Sequence, residues 1–125
     1  MRRPALTLAA FALALAGCGG DDEPRRTATV PAGASLHVVA KEYSFDPDGI
    51  VVRGGGSLRV TLDNEGSLAH NLKLRKDGRV VGGTPAFPAG ESRTANLHVA
   101  RGRYEYLCTV GDHAELGMKG TLEVR

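Results

Sequence analysis

Cys108, His113 and Met118 stand at five-residue intervals in the stretch from Tyr104 to Met118. A thiolate, an imidazole and a thioether spaced so closely form a donor set for a soft metal. Copper sites of the electron-transfer kind combine two imidazoles, one thiolate and a weak axial thioether. Three of those four groups lie in one loop, Cys108 to Met118. Met118 is the only methionine after Met1, and only one other cysteine, Cys18, is present. The chain must therefore supply a further imidazole and a rigid frame to hold it.

The frame reads as all-β. From residue 35 on, runs of four to eight residues alternate apolar and polar, separated by Gly, Pro, Asp and Asn. Leu36 to Phe45, Ile50 to Arg53, Leu58 to Asp63, His70 to Arg75, Val80-Val81, Ser92 to Val99, Arg103 to Cys108 and Lys119 to Val124 give about eight strands. Lys76-Asp77-Gly78-Arg79 is a hairpin signal, because Asp-Gly suits a tight turn with positive φ. Short strands punctuated this way predict a Greek-key β-sandwich or barrel. Parity then orients the side chains. Tyr104, Tyr106 and Cys108 share one face, and His70, Leu72 and Leu74 share another. Cys108 at one strand end and His70 at another strand start are expected to meet at one end of the sandwich.

With 125 residues the chain holds one domain and a single core. Its formal charge of +2 comes from Arg2 and Arg3; from Cys18 onward, 14 basic residues face 14 acidic ones. That balance, with the two signs interspersed, excludes a nucleic-acid binder, which shows a clustered basic face. Residues 1–17 have the form of a secretory signal, with Arg2-Arg3 ahead of a short apolar run from Pro4 to Ala16. The run is too short to span a bilayer, which takes roughly 18–20 residues. Leu15-Ala16-Gly17-Cys18 resembles the bacterial lipobox, which implies cleavage before Cys18 and a lipid on that cysteine. An exported protein, lipid-anchored to a bacterial cell membrane and facing the periplasm or exterior, is the expectation. Residues 18–34 are rich in Gly, Pro and charge and are expected to form a flexible tether of ~20–25 Å. Cys108 is then left without a disulfide partner, and a metal would protect its thiol.

A family resemblance covers nearly all of residues 35–125. Tyr43-Ser44-Phe45-Asp46-Pro47, the glycine turn from Gly54 to Val60, Asn64 to Asn71 and Tyr104 to Val124 follow one another in the order found in small blue copper proteins of the cupredoxin family. The resemblance implies a plastocyanin- or azurin-like fold. It assigns His70, Cys108 and His113 as strong copper ligands and Met118 as the axial one. It also implies that Asn71 ties the two ligand loops together and hydrogen-bonds near the thiolate. Relatives with this loop length often carry Pro-Gly before the second histidine. Here Gly111-Asp112-His113 stands instead, and Asp112 and Glu115 flank the ligand.

Competing chemistries fit less well. Structural zinc sites favour paired Cys-x-x-Cys spacing. A dinuclear copper centre needs a second loop cysteine, and a multicopper oxidase needs additional histidines, usually in His-x-His pairs; neither is present. A Cys–His hydrolase needs an accessible thiolate with an orienting partner. His37 and His98 read as surface or core fillers. The expectation is therefore no enzyme but a monomeric one-electron carrier cycling between Cu(I) and Cu(II). Redox proteins would dock transiently near His113, and the lipid on Cys18 would hold the carrier at the membrane. An exported module for copper storage, delivery or resistance is the alternative.

Overall fold

The computed structural model describes residues 24–125. Residues 1–17 and Cys18, with the signal and lipid-anchor readings, lie outside that range. The described residues form ten strands and no helix. They are β1 (Thr27–Pro31), β2 (Ser35–Lys41), β3 (Ser44–Asp46), β4 (Gly49–Arg53), β5 (Gly56–Asn64), β6 (Lys73–Lys76), β7 (Arg79–Gly83), β8 (Ser92–Val99), β9 (Gly102–Leu107) and β10 (Lys119–Val124). A six-stranded sheet has the order β1-β4-β10-β9-β6-β7, and a four-stranded sheet the order β3-β2-β5-β8. The architecture is the expected β-sandwich, with ten strands instead of eight.

Alternation produces the core. Leu58, Val60 and Leu62 of β5, Ala95, Leu97 and Val99 of β8, Tyr104 and Tyr106 of β9, and Leu122 and Val124 of β10 are all buried. Their intervening neighbours face outward, as period two requires. Tyr106 lies flat over Gly120, directly opposite it on β10. A Cβ at Gly120 would sit 2.3 Å from the ring, so only glycine admits the tyrosine there. The ring reaches across the molecule and its hydroxyl donates to the Pro47 carbonyl at 2.7 Å. Burial, followed by the charges of Asp48 and Asp46, pushes that hydroxyl's pKa upward. The hairpin at Asp77-Gly78 closes as expected, with φ of 49° and 77° at the two turn residues.

Two expectations need correction. The run from Leu36 to Phe45 is not one strand. It breaks at Glu42-Tyr43 into β2 and β3, which pair antiparallel with Lys41 opposite Ser44. Glu42 falls where the alternation of Leu36, Val38 and Ala40 calls for an apolar residue, and the chain turns there. The flexible tether also ends sooner than residue 34. β1 pairs in parallel with β4 from Thr27 opposite Gly49 to Pro31 opposite Arg53. The Asp48 carboxylate accepts the backbone N–H groups of Arg25 and Arg26 at 3.0 and 2.9 Å. Ala28 and Val30 form the half-buried face of β1 between exposed neighbours, and of β1 only Val30 packs against the core, so its apolar signal is two residues long.

Strand direction sets one end of the sandwich apart. β2, β5 and β9 run toward it, and β4, β6 and β10 run away. Asn64 at the end of β5, Cys108 just beyond β9 and Met118 just before β10 therefore gather there. The pairing of β1 also yields a test of where the domain begins. A chain starting at Ala34 should unfold in less urea than one starting at Pro24, by about 1–3 kcal/mol for the lost ladder. Equal midpoints would return residues 24–33 to the tether.

Candidate metal centre

The four ligand positions come from three places in the fold. Cys108 follows β9 and is fully buried, and its N–H donates to the Met118 carbonyl at 3.1 Å. Met118, also fully buried, donates its own N–H to the His113 carbonyl at 3.1 Å. The loop between is wound tightly by bonds from His113 to Val110, from Leu116 to Asp112 and from Gly117 to Ala114. Gly117, at φ 108°, makes the left-handed step that returns the chain to Met118. His70 is brought in from the other direction. It forms an isolated bridge with Phe87 ahead of β6, through bonds of 3.1 and 3.2 Å. The strand expected from His70 begins only at Lys73.

The donor atoms converge. Cys108 Sγ lies 3.8 Å from His70 Nδ1 and 3.5 Å from His113 Nδ1, and all three lie within 4.8 Å of one another. Typical metal bonds are about 2.3 Å to thiolate and about 2.0–2.1 Å to imidazole, as in zinc sites. An ion between the donors at a trigonal angle would hold S and N about 3.8 Å apart. The observed separations match that requirement without rearrangement. Two imidazoles and one thiolate, with a thioether at the loop's end, suit copper better than a hard cation. His70 and Cys108 have no exposed surface, whereas His113 retains 7 %. His37 and His98 play no part: His37 Nδ1 meets Asp63 Oδ2 on the surface at 2.7 Å, and His98 is exposed on β8.

Polar contacts lock these residues in place. Asn71 Nδ2 donates to Thr109 Oγ1, and Thr109 N–H donates to Asn71 Oδ1, both at 2.8 Å. The residues next to His70 and Cys108 are thus joined directly. Asn64 braces the turn before His70: its Nδ2 donates to the carbonyls of Leu68 and Phe87, and its Oδ1 accepts the Gly66 N–H.

Glu42 was missed as a site residue. Its Oε1 accepts the N–H groups of Ser67 and Leu68, each at 2.7 Å, and lies 3.2 Å from His70 Nε2. The Leu68 and Ser67 amides hold its pKa down to about 2 against the opposing effect of desolvation, helped by its own backbone and by His70. Its neighbour Tyr43 packs its ring against His113, centroid to centroid at 5.0 Å. One turn therefore serves both histidines. The signal was present as the polar break in the alternation of Leu36 to Phe45, but nothing in the sequence says which loop that turn faces.

Residues 32–125 match the profile of copper binding proteins, plastocyanin/azurin family. Among curated proteins none matches by sequence. Solved structures with a similar fold include the dithionite-reduced auracyanin of the photosynthetic bacterium Roseiflexus castenholzii, at 22% identity and a TM-score of 0.69, covering 75% of this chain and 98% of that one. Auracyanin A of Chloroflexus aurantiacus, described as a "blue" copper protein, is 21% identical with a TM-score of 0.66, covering 76% and 99%. Rusticyanin of Thiobacillus ferrooxidans is 24% identical with a TM-score of 0.63, covering 78% and 82%.

Titration with Cu(II) should produce intense blue thiolate-to-copper absorption, which Cys108→Ser should abolish. Copper at about a thousand times its dissociation constant should stabilise the domain by about 4 kcal/mol. Asn71→Ala should weaken copper binding about 10–100-fold while the absorption survives. Blue absorption persisting in Cys108→Ser would refute the assignment.

Proposed function

The chain belongs to the plastocyanin/azurin family of copper-binding proteins, and on that premise we propose that it is a one-electron carrier held at the outer face of a bacterial membrane. The observation that carries this reading is the combination of a convergent donor set with near-complete burial. His70, Cys108 and Met118 are sealed from solvent, and only His113 shows an edge. A module for copper delivery needs its ligands accessible to an incoming acceptor. An electron needs only a short path through one exposed ligand.

Bound copper supplies a one-electron couple between Cu(I) and Cu(II). The protein's residues do the rest by staying still. The Asn71–Thr109 pair prevents the two ligand segments from separating, and Glu42 and Tyr43 restrain the two imidazoles. A donor set that keeps one geometry in both oxidation states needs little rearrangement on transfer. His113 is the exit by exposure. Asp112, Glu115 and the half-exposed Leu116 surround it on the same loop, a mixed surface suited to weak, brief docking with a redox protein. The two acids favour a partner with a basic rim.

The membrane part of the proposal rests on the lipobox resemblance at Cys18, supported by the direction of β1. β1 and β10 both run parallel to β4 and so point away from the metal end. Arg25 and Arg26 line the same surface hollow as Gly117 and Lys119, beside Met118. The chain therefore enters the domain at the metal end. Five residues lie between Cys18 and Pro24, so the six steps from one to the other reach at most about 20 Å. A lipid on Cys18 would keep the metal end near the bilayer and favour partners bound to the same membrane.

Three measurements test the proposal. Mixing reduced and oxidised protein should give electron self-exchange that is fast by NMR line broadening, with copper loss to a chelator far slower. The opposite order would establish copper handling instead. Asp112→Asn with Glu115→Gln should flatten the salt dependence of electron transfer to a basic redox protein; an unchanged dependence would remove the acids from docking. In cells, Cys18→Ser should move the protein from the membrane fraction to the soluble exported fraction. Retention at the membrane would refute the lipid anchor.

A further inference from the structure

We infer that Glu42 is a positioning residue for the metal centre, acting through His70: it fixes the imidazole's tautomer and lowers the reduction potential of bound copper. The inference rests on the copper reading above and concerns a residue outside the donor set.

The geometry is specific. A single oxygen, Glu42 Oε1, gathers three N–H donors: those of Ser67 and Leu68 at 2.7 Å and that of His70 Nε2 at 3.2 Å. A carboxylate accepts only, so the hydrogen in the last contact resides on Nε2. Nδ1 is then unprotonated, and it is the nitrogen that faces Cys108 Sγ at 3.8 Å. The carboxylate thereby selects the tautomer that leaves a lone pair aimed at the ion. A metal-bound imidazole that donates its other N–H to a carboxylate is oriented by it and becomes a stronger ligand.

The surroundings are fitted to this contact. Gly66 leaves room for the carboxylate, since a Cβ there would lie 2.6 Å from Oε1. Asn64 holds the turn that presents the Ser67 and Leu68 amides. His70 itself has no exposed surface, so water cannot replace the carboxylate as a partner for Nε2 without opening the loop. The Glu42 side chain keeps 26% of its surface exposed. Its charge is thus partly solvated, but it is directed at the ligand through one hydrogen bond.

The electrostatic consequence has a definite sign. A negative charge near the ion favours Cu(II) over Cu(I), which carries one positive charge less. Removing the charge while keeping an acceptor should raise the potential. Glu42→Gln does this, because an amide oxygen can accept the same three N–H groups without carrying a charge. The expected shift is on the order of tenfold in the ratio of Cu(II) to Cu(I) affinity, or about 59 mV for one electron.

The experiment is voltammetry of the copper-loaded domain as wild type, Glu42→Gln and Glu65→Gln, with hydrogen exchange of the Ser67 and Leu68 amides in the metal-free proteins. Glu65 is an exposed acid on the same turn with no bond to His70. The inference expects a raised potential in Glu42→Gln, a much smaller change in Glu65→Gln and amide protection retained in both. An unchanged potential in Glu42→Gln, or an equal rise in Glu65→Gln, would overturn it. Absence of blue absorption in the wild type would instead overturn the copper reading. If Glu42→Gln does not fold, the wild type still decides. Nitrogen NMR of the zinc-loaded protein should show a slowly exchanging proton on His70 Nε2, and a proton absent from that atom refutes the inference.

Discussion

Two hydrogen bonds of 2.8 Å between Asn71 and Thr109 hold together the segments on which the metal centre depends. One segment leads into β6 and carries His70, and the other leaves β9 and carries Cys108. The donors at the centre are polar groups at the end of an apolar core, and polar groups buried without partners are costly. Among the described residues no buried side-chain nitrogen or oxygen lacks a partner. The amide of Asn71 satisfies both a hydroxyl and a backbone N–H, so the junction closes without an unpaired group. With that junction in place, the separation of the imidazole and thiolate is set by the sandwich and not by the ion.

The two histidines are restrained by adjacent residues of one turn. Glu42 reaches back to His70, buried and hydrogen-bonded, while Tyr43 packs on His113, the ligand with an exposed edge. The contacts differ in kind. A carboxylate gives direction and charge to a ring that is sealed away, and an aromatic face gives apolar contact to a ring at the surface. In the proposed carrier, this division would leave electronic tuning to one histidine and electron passage to the other. Loop Cys108 to Met118 contributes its own rigidity through backbone bonds that return Met118 to both His113 and Cys108.

The sandwich makes this arrangement possible by running its strands in register to one end. Parallel pairing of β2 with β5 brings the Glu42 turn and the Asn64 turn side by side, because both strands reach the same level together. Antiparallel pairing of β9 with β6 and β10 sets Cys108 between the entry of His70 and the return of Met118. β1 extends the six-stranded sheet beyond the residues that match the family, which begin at 32. It is a short addition at the sheet edge that determines which end of the domain the N-terminal chain leaves from.

Local chemistry was open to reading because it is written in residue type and spacing. The donor trio, the alternation in β5, β8, β9 and β10, and the Asp77-Gly78 turn all depend on near neighbours, and each follows from a side-chain period or a backbone preference. The need for glycine at position 120 comes from Tyr106 on the neighbouring strand, a contact that no local pattern announces. Glu42 could not be placed at all, since its partners Ser67, Leu68 and His70 lie 25 to 28 residues away in the chain. β1 was hidden for the related reason that an edge strand is held mainly by backbone pairing and here buries only a two-residue apolar face, Ala28 and Val30. The sequence by itself determined which atoms are available to bind a metal and which faces of the strands are apolar. Tertiary structure alone decided which distant groups complete the site, because strand order and register, not residue type, select the loops that meet at the end of a sandwich.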